Sequence, residues 1–433
     1  MTPIQTGILG GIALVFFLIS SMPVAFAMAL VGIVGFAMLT TSTAAMSMAS
    51  AELYETFSSY SLTVIPLFVF MGQVAFHAGI SKSLFNAAYK WLGALPGGLA
   101  MATVEACTAF GAICGSGPAT AATMASVAIP EMRRYNYSME LASGAVAAGG
   151  SLGMLIPPSV VFIVYAILTE SSIGKLFIAG VLPGLMIAAL FCLTIYINCR
   201  RRPEMGPVGP RASLGEKIRS LAGVAETLIL FIVVMGGMFL GFFTPTEAAA
   251  VGAAGSLIIA LVKRKLSIKI LIRSLLETAR TSSMVMMIVA GAVIFGRFLA
   301  ITRIPYELAN WLSNLPLPGA MIVFLVIIFY LLAGCFVDAL ALVLLTIPIF
   351  YPVIVELGYD PIWFGVVIVV VTQMGVISPP VGVNVYVVGG IERDIPLSTI
   401  FKGSMPFLFT LIVAAVLLTL FPQISLFLPG LVK

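Results

Sequence analysis

The amino-acid sequence predicts an all-α, polytopic membrane protein made of two related halves in opposite orientation. Three observations carry that expectation: an apolar composition, helix breakers that recur 222 residues apart, and a one-sided distribution of basic residues. Hydrophobic residues make up 61% of the 433 positions, charged residues 9%, and mean hydropathy is +1.16. A soluble domain would carry roughly 25% charge. No polar block is long enough for a separate soluble domain. The start, Met1-Thr2-Pro3-Ile4-Gln5, lacks the basic n-region of a cleaved signal peptide, and its apolar run leads into a second span.

The helix breakers read Gly153-Met154-Leu155-Ile156-Pro157-Pro158 and Gly375-Val376-Ile377-Ser378-Pro379-Pro380. Proline removes a backbone donor and clashes with the preceding turn, so a Pro-Pro pair stops a helix. In hydrocarbon each freed carbonyl costs several kcal/mol unless it faces protein, water or an ion. Paired broken helices at matching positions point to the site of a secondary transporter. At the same offset Pro23 matches Pro245, Pro130 matches Pro352, Tyr137 matches Tyr359 and Glu170 matches Glu392. With a slip to 220, Trp91-Leu92 and Leu95-Pro96 match Trp311-Leu312 and Leu315-Pro316; at 223, Pro183 matches Pro406. The halves are therefore 1–198 and 222–433, joined by a linker at 199–221.

Each half divides alike. In the first, 5–20, 23–40 and 60–78 read as spans. Residues 80–92 read as an amphipathic arm with Ile80, Leu84, Ala88 and Trp91 on one face. Residues 97–132 form two apolar legs around Gly115-Ser116-Gly117-Pro118. The second leg, about 14 residues or about 21 Å, is too short for a core of about 30 Å, which predicts a re-entrant hairpin. A broken helix at 139–168 and a span at 174–198 follow. The second half repeats this with spans 224–243, 247–262 and 281–300, an arm at 303–315, a hairpin at 319–352, a broken helix at 362–389 and a span at 405–424.

Five crossings per half is an odd number, so the halves must be inverted. Taking Arg200-Arg201-Arg202 as cytoplasmic places 18 of the 22 Lys and Arg residues inside, leaving Lys175, Arg297, Arg303 and Lys433 outside. Both termini are then periplasmic, the two hairpins open to opposite sides, and their tips meet near the midplane. The net charge of +5 records orientation more than acidic partners. Cys107, Cys114, Cys192, Cys199 and Cys335 are scattered without a Cys-x-x-Cys pair, which predicts free thiols and no metal cluster. The lone His77 reads as packed or interfacial rather than as a ligand.

Two arms, two opposed hairpins and two broken helices resemble the large membrane subunit of a TRAP transporter (tripartite ATP-independent periplasmic transporter). The resemblance rests on Gly115-Ser116-Gly117-Pro118-Ala119-Thr120, on Gly150-Ser151-Leu152-Gly153-Met154-Leu155-Ile156-Pro157-Pro158-Ser159, and on Gln373-Met374-Gly375-Val376-Ile377-Ser378-Pro379-Pro380-Val381-Gly382-Val383-Asn384. It covers essentially the whole chain. It implies a sodium-driven elevator in the bacterial inner membrane, with Na⁺ as coupling ion and no other cofactor. It also implies a smaller four-helix membrane subunit, a soluble periplasmic binding protein, and an organic-acid substrate such as a C4-dicarboxylate or sialic acid. No four-helix unit precedes the first repeat, so the small subunit is expected as a separate chain.

The residue chemistry fits that implication. Na⁺ prefers oxygen ligands, which an unwound helix and a hairpin tip can supply. In the first half these are Ser116 and Thr120 at the tip with carbonyls around Gly150 and Gly153. In the second, Ser116 matches Asp338, an acid in an apolar hairpin and so functional by default. Thr372, Met374 and Gly375 lie opposite. The competing reading is that Gly, Ser and Thr here only permit close helix packing. The acidic substrate is expected between the tips, near Ser116, Pro158, Ser159, Pro380 and Asn384, facing positive helix N-termini.

Other charges read differently. Glu105 is either a polar anchor or part of the pathway. Thr244-Pro245-Thr246-Glu247 fits a capping box. Arg297, near the end of its span, is expected to snorkel to the outer surface. A stand-alone anion/Na⁺ symporter or an arsenite-type permease could share the architecture, a channel suits it less, and a membrane enzyme lacks a Walker motif, ligand cluster or nucleophile–His pair.

Overall fold

The computed structural model describes residues 2–20, 22–313 and 318–431, and every regular element among them is helical. The first half runs α1 (Pro3–Ile19), α2 (Val24–Leu39), α3 (Ser42–Ser58), α4 (Val64–His77) and α5 (Ile80–Leu92), then α6 (Gly98–Cys114), α7 (Gly117–Arg134), α8 (Met139–Ser151), α9 (Val160–Thr169) and α10 (Ile173–Arg201). After α11 (Leu214–Ala222), a second series follows with α12 (Ala225–Phe231), a π-turn at Ile232–Gly236, α13 (Gly237–Phe239), α14 (Pro245–Val262), α15 (Ile268–Thr302) and α16 (Ile304–Ser313). It ends with α17 (Gly319–Gly334), α18 (Ala339–Glu356), α19 (Pro361–Ile377), α20 (Val383–Ile391), α21 (Leu397–Leu420) and α22 (Gln423–Leu431). Side chains set many of these starts. Ser172 and Ser267 cap α10 and α15, Asp360 caps α19, and Thr244 with Glu247 forms the capping box that its spacing predicts.

Helix length and composition account for six or seven of the ten expected crossings. Among the described residues six helices are long and apolar enough to span a bilayer: Tyr60–His77, Ile173–Arg201, Pro245–Val262, Ile268–Thr302, Ala339–Glu356 and Leu397–Leu420. A seventh is reached if Leu214–Ala222 and Ala225–Phe239, bent by 53°, act as one. Pro3–Ile19 and Val24–Leu39, expected as spans, have 17 and 16 residues. At 1.5 Å each they reach only about 24–26 Å. Among the described residues three helices lie outside the expected helical elements: α3, α11 in the linker, and α22. The α7 leg has 18 residues, more than the 14 expected, because the helix already includes Gly117-Pro118 at its start and runs on through Arg133-Arg134. Part of the arm predicted at 303–315 lies outside the described residues, as do Leu315-Pro316 and Lys433.

One mismatch has a clear cause. Shifted by 222, Leu53, Glu55 and Thr56 fall on Leu275, Glu277 and Thr278. The segment that is one 35-residue helix in the second half, α15, is broken in the first by a 3₁₀ turn at Tyr60–Thr63 into α3 and α4. The polar run of Thr, Ser and Glu at 41–59 hides α3 from a hydropathy reading.

The packing sorts the helices into two groups. α2 lies along α15, and α4 along α14 and α15, with α1, α3 and α12 against this set. In the second group α8 packs on α6, α7 and α21, α19 packs on α17, α18 and α21, and α10 joins α6 with α21. Helices of the two halves pair reciprocally there, α7 with α20 and α18 with α9. The arm α5 buries Ile80, Leu84, Phe85 and Ala87 against α6 and α7, whereas Trp91 is exposed beneath Lys217, whose Nζ is 5.7 Å from the ring centroid. This corrects the expected apolar face. Arg297 does not snorkel free: its Nε lies 2.6 Å from Glu52 Oε1 on α3. His77 is packed, with Nε2 3.1 Å from Glu277. No cysteine among the described residues is disulfide-bonded.

The linker is built into the fold. Gly97 donates to Gly206 O at 3.0 Å, Gly209 to Gly93 O at 2.9 Å, and Ser138 to Met205 O at 3.0 Å. The Tyr137 hydroxyl accepts from Leu99 N at 3.2 Å and donates to Pro207 O at 2.9 Å, tying both ends of the α6–α7 pair to the linker. Tyr137→Phe strands the buried Leu99 amide, at a cost of about 1–3 kcal/mol. The variant should melt at a lower temperature in detergent, and trypsin should cut its basic linker faster; an unchanged melting point and cleavage rate would show that the linker is not held by this hydroxyl.

Candidate functional site

Both hairpins turn at short non-helical tips. Gly115, at φ +65°, ends α6, and Ser116 leads into α7, whose first turn is Gly117-Pro118. A side chain at Gly115 would meet the Pro158 carbonyl carbon and oxygen, so the tip is seated on the first break. The far ends also meet: Leu99 lies on Tyr137 beyond α7, and Gly319 at the start of α17 lies against Leu357 and Tyr359 beyond α18. Each pair of helices is thus a closed hairpin.

The breaks satisfy their backbone on these tips. α8 ends in a 3₁₀ turn at Leu152–Met154, and the chain then runs through Pro157-Pro158 to Ser159, whose hydroxyl donates to Met154 O and accepts from Phe162 N. Val160 N donates to Gly115 O at 3.4 Å. In the second half α19 stops at Ile377, the chain passes Pro379-Pro380, and Val381 N donates to Cys335 O at 3.2 Å. Both Pro-Pro bonds are cis.

The first-half candidates converge. Thr120 Oγ1 donates to Ser116 O at 2.8 Å, and a Cβ at Gly153 would fall 2.7 Å from Thr120 Oγ1 and 3.0 Å from Ser116 O. Gly150 is equally close to Ala121, and its carbonyl faces Gly117. Ser116, Thr120, Gly150 and Gly153 therefore form one oxygen-rich contact between tip and break. The second-half set is looser. Gly375 packs on Gly334, its carbonyl accepts from Ser378 Oγ at 3.4 Å, and Thr372 Oγ1 donates to Val369 O at 2.9 Å. Met374 is buried. Asp338 is exposed at the tip and caps α18, with Oδ2 accepting from Leu340 N at 3.0 Å.

A cavity of about 300 Å³ joins the tips. Ser116, Gly117, Pro118 and Ala119 form one wall, Asp338, Ala339 and Leu340 another, and Met154, Val160 and Val161 the floor toward the first break. Val69 and Gln73 of α4 with Thr281, Met284 and Val285 of α15 close it. Two helix N-termini, those of α7 and α18, thus open on it, while none of its lining residues is Lys or Arg. Of the expected substrate residues only Ser116 reaches this space. Pro158 and Ser159 are buried behind the first tip, Pro380 is exposed elsewhere, and Asn384 is buried with Nδ2 donating to Ala147 O at 3.0 Å. Glu105 also lies away from it, accepting from Cys192 Sγ of α10 at 3.4 Å, the partner of a polar anchor.

Sequence reasoning missed Gln73 and Thr281. Gln73 had a signal, an amide inside an apolar span; Thr281 had one as the repeat mate of Ser59. It also missed Gln373 as a contact of its own repeat mate: Ser151 Oγ lies 3.4 Å from Gln373 Oε1, with 222 residues between them.

Known proteins agree with this architecture. The family model described as "Tripartite ATP-independent periplasmic transporter, DctM component" matches residues 11–424. The C4-dicarboxylate TRAP transporter large permease protein DctM of Pseudomonas aeruginosa is 40% identical over 88% of this chain and 88% of that one. The sialic acid TRAP transporter large permease protein SiaM of Vibrio cholerae is 34% identical over 96% of each. Among solved structures, the YdaH transporter of Alcanivorax borkumensis superposes with a TM-score of 0.56 at 16% identity, covering 87% of this chain and 89% of that one. That likeness concerns the fold. This chain, a multi-pass inner-membrane permease subunit and not an enzyme, belongs to the DctM component family of the tripartite ATP-independent periplasmic transporters.

Proposed function

We propose that the chain carries an organic acid, a C4-dicarboxylate or an acidic sugar such as sialic acid, into the cell by Na⁺-coupled elevator transport. The carrying observation is the cavity in which both hairpin tips meet the walls of α4 and α15. Na⁺ binds at the two tip–break contacts, one through Ser116, Thr120, Gly150 and Gly153, the other through Asp338 with Thr372, Met374 and Gly375. The acid lies between the tips, where the α7 and α18 N-termini and the bound cations supply the positive charge that the lining side chains lack. The reciprocal pairing of α7 with α20 and α18 with α9 supports an inverted repeat, with halves at 1–198 and 222–433. The moving body is α6–α10 with α17–α21, and the scaffold is α1–α4 with α12–α15. The partners are a small four-helix membrane subunit and a soluble periplasmic binding protein that delivers the acid. Relatives support this assembly: one, from Oleidesulfovibrio alaskensis, is named isethionate TRAP transporter permease protein DctMQ, and this chain covers 65% of it.

Asp338 tests the ion site. Asp338→Ala removes charge and helix cap together, whereas Asp338→Ser keeps a capping oxygen. Both should lose at least about tenfold of Na⁺-dependent uptake, about 1.4 kcal/mol or more, while the protein still folds and assembles. Normal Na⁺ dependence of the Ser variant at normal expression would remove Asp338 from the site.

Orientation has its own test. A cysteine placed in 204–218 should react only with a cytoplasmic reagent, and one at Leu431, exposed at the end of α22, only with a periplasmic one. Labelling of both from one side contradicts the inverted repeat.

Motion is read by distances in inward- and outward-facing states. The Ser116–Asp338 separation should stay constant, while distances from either residue to Leu30 of α2 or Ile258 of α14 change by several Å. The opposite pattern describes a rocking or gated pore, and the elevator reading fails.

A further inference from the structure

A second cavity, of about 440 Å³, lies between α3, α15 and the end of α9. Ser59 and Leu62 line it, and these are the repeat mates of Thr281 and Met284, which line the cavity between the tips. Glu55 and Thr56, the mates of Glu277 and Thr278, line it too. The same strip of wall, used once in each half, therefore faces a cavity twice. On the inverted-repeat reading proposed above, on which this inference rests, the second cavity is where the carried acid stands in the opposite state.

Charge distinguishes the two. The cavity between the tips has no Lys or Arg in its lining, whereas Arg297 lines the second. Its Nε holds Glu52 Oε1 at 2.6 Å; the arginine side chain is 58% exposed and the glutamate 9%. A guanidinium presents five N–H donors in a fork that matches a carboxylate, so one Nε contact leaves its terminal amino groups for another acid. Glu52 is the internal stand-in for that acid. Glu55 and Glu170 complete the acidic side of this wall, and both would repel an anion that Arg297 did not hold.

We propose that Arg297 is the carboxylate-binding group of a second substrate subsite, the outward one, and that Glu52 occupies it when no substrate is present. A carboxylate entering this cavity competes with Glu52 for the guanidinium. The geometry thus predicts opposite effects on affinity from removing the two partners of one ion pair, where a purely structural ion pair predicts the same effect from both.

The test uses the complete transporter with its partners in proteoliposomes, probed with radiolabelled succinate and N-acetylneuraminate, and compares wild type with Arg297→Gln, Arg297→Lys and Glu52→Gln. Arg297→Gln should raise KM for the transported acid at least about tenfold, about 1.4 kcal/mol, with half-saturating Na⁺ unchanged when measured at saturating acid. Arg297→Lys, a point charge without the fork, should fall between it and wild type. Glu52→Gln should lower KM severalfold. Equal losses of Vmax in Arg297→Gln and Glu52→Gln with KM unmoved would make the pair structural and overturn the subsite. If half-saturating Na⁺ at saturating acid rises along with the acid's KM in Arg297→Gln, Arg297 acts through the ion sites and the subsite is likewise overturned. Wild-type uptake with no Na⁺ dependence would instead bring down the sodium-coupled reading, while leaving the KM comparison intact.

Discussion

The fold hangs on the backbone left open by two Pro-Pro breaks in an apolar environment. An unsatisfied carbonyl or amide there costs several kcal/mol, and the chain meets that cost with its own hairpin tips. Val160 N reaches Gly115 O, and Val381 N reaches Cys335 O. Those bonds need close approach, which small residues supply: Gly153 lies on Ser116 and Thr120, and Gly375 on Gly334. Each break is thus fixed to one tip. A ligand between the tips therefore rests on both tips and on the first break, whose Met154, Val160 and Val161 form the cavity floor.

The same constraint explains why so much was legible in the sequence. A Pro-Pro pair has one structural meaning inside an apolar run, and its recurrence at 222 residues located both breaks and both tips. Asp338 was legible for the same reason, as an acid where the repeat places Ser116. The Thr244–Glu247 cap was readable because capping is local, set by residues three apart.

What was missed depends on contacts distant in sequence. Arg297 sits near the end of an apolar helix, so composition alone sends it to the surface; only the fold brings Glu52, 245 residues earlier, within 2.6 Å. The α3 helix was lost because its stripe is narrow, with Ala45, Ala49, Glu52 and Thr56 buried on one side and polar residues around it. Hydropathy averages over that face. Asn384 and Ser159 drew attention as polar groups beside the breaks, but their hydrogen bonds go to the backbone: Asn384 Nδ2 to Ala147 O, Ser159 to Met154 O and Phe162 N. They hold the breaks in shape. Ser159 answers backbone freed at the first break, and the cavity takes its own polar groups from Ser116, Asp338, Gln73 and Thr281.

The charge pattern of the walls then carries the final step. An organic acid entering a cavity lined by Asp338 and no basic side chain meets repulsion unless cations or helix N-termini intervene. On the proposed reading, Na⁺ at the tip–break contacts is therefore a condition of binding the acid there: ion and acid each lower the electrostatic cost of the other. Coupling of that kind is reciprocal by thermodynamic necessity. An empty carrier would keep Asp338 unpaired and its cavity repulsive to anions. A carrier with sodium bound would accept the acid, and the two would cross together. On the opposite wall Arg297 stands among Glu52, Glu55 and Glu170, so the cations that travel with the tips are needed there too, and the two faces of the path differ in offering one fixed basic side chain or none.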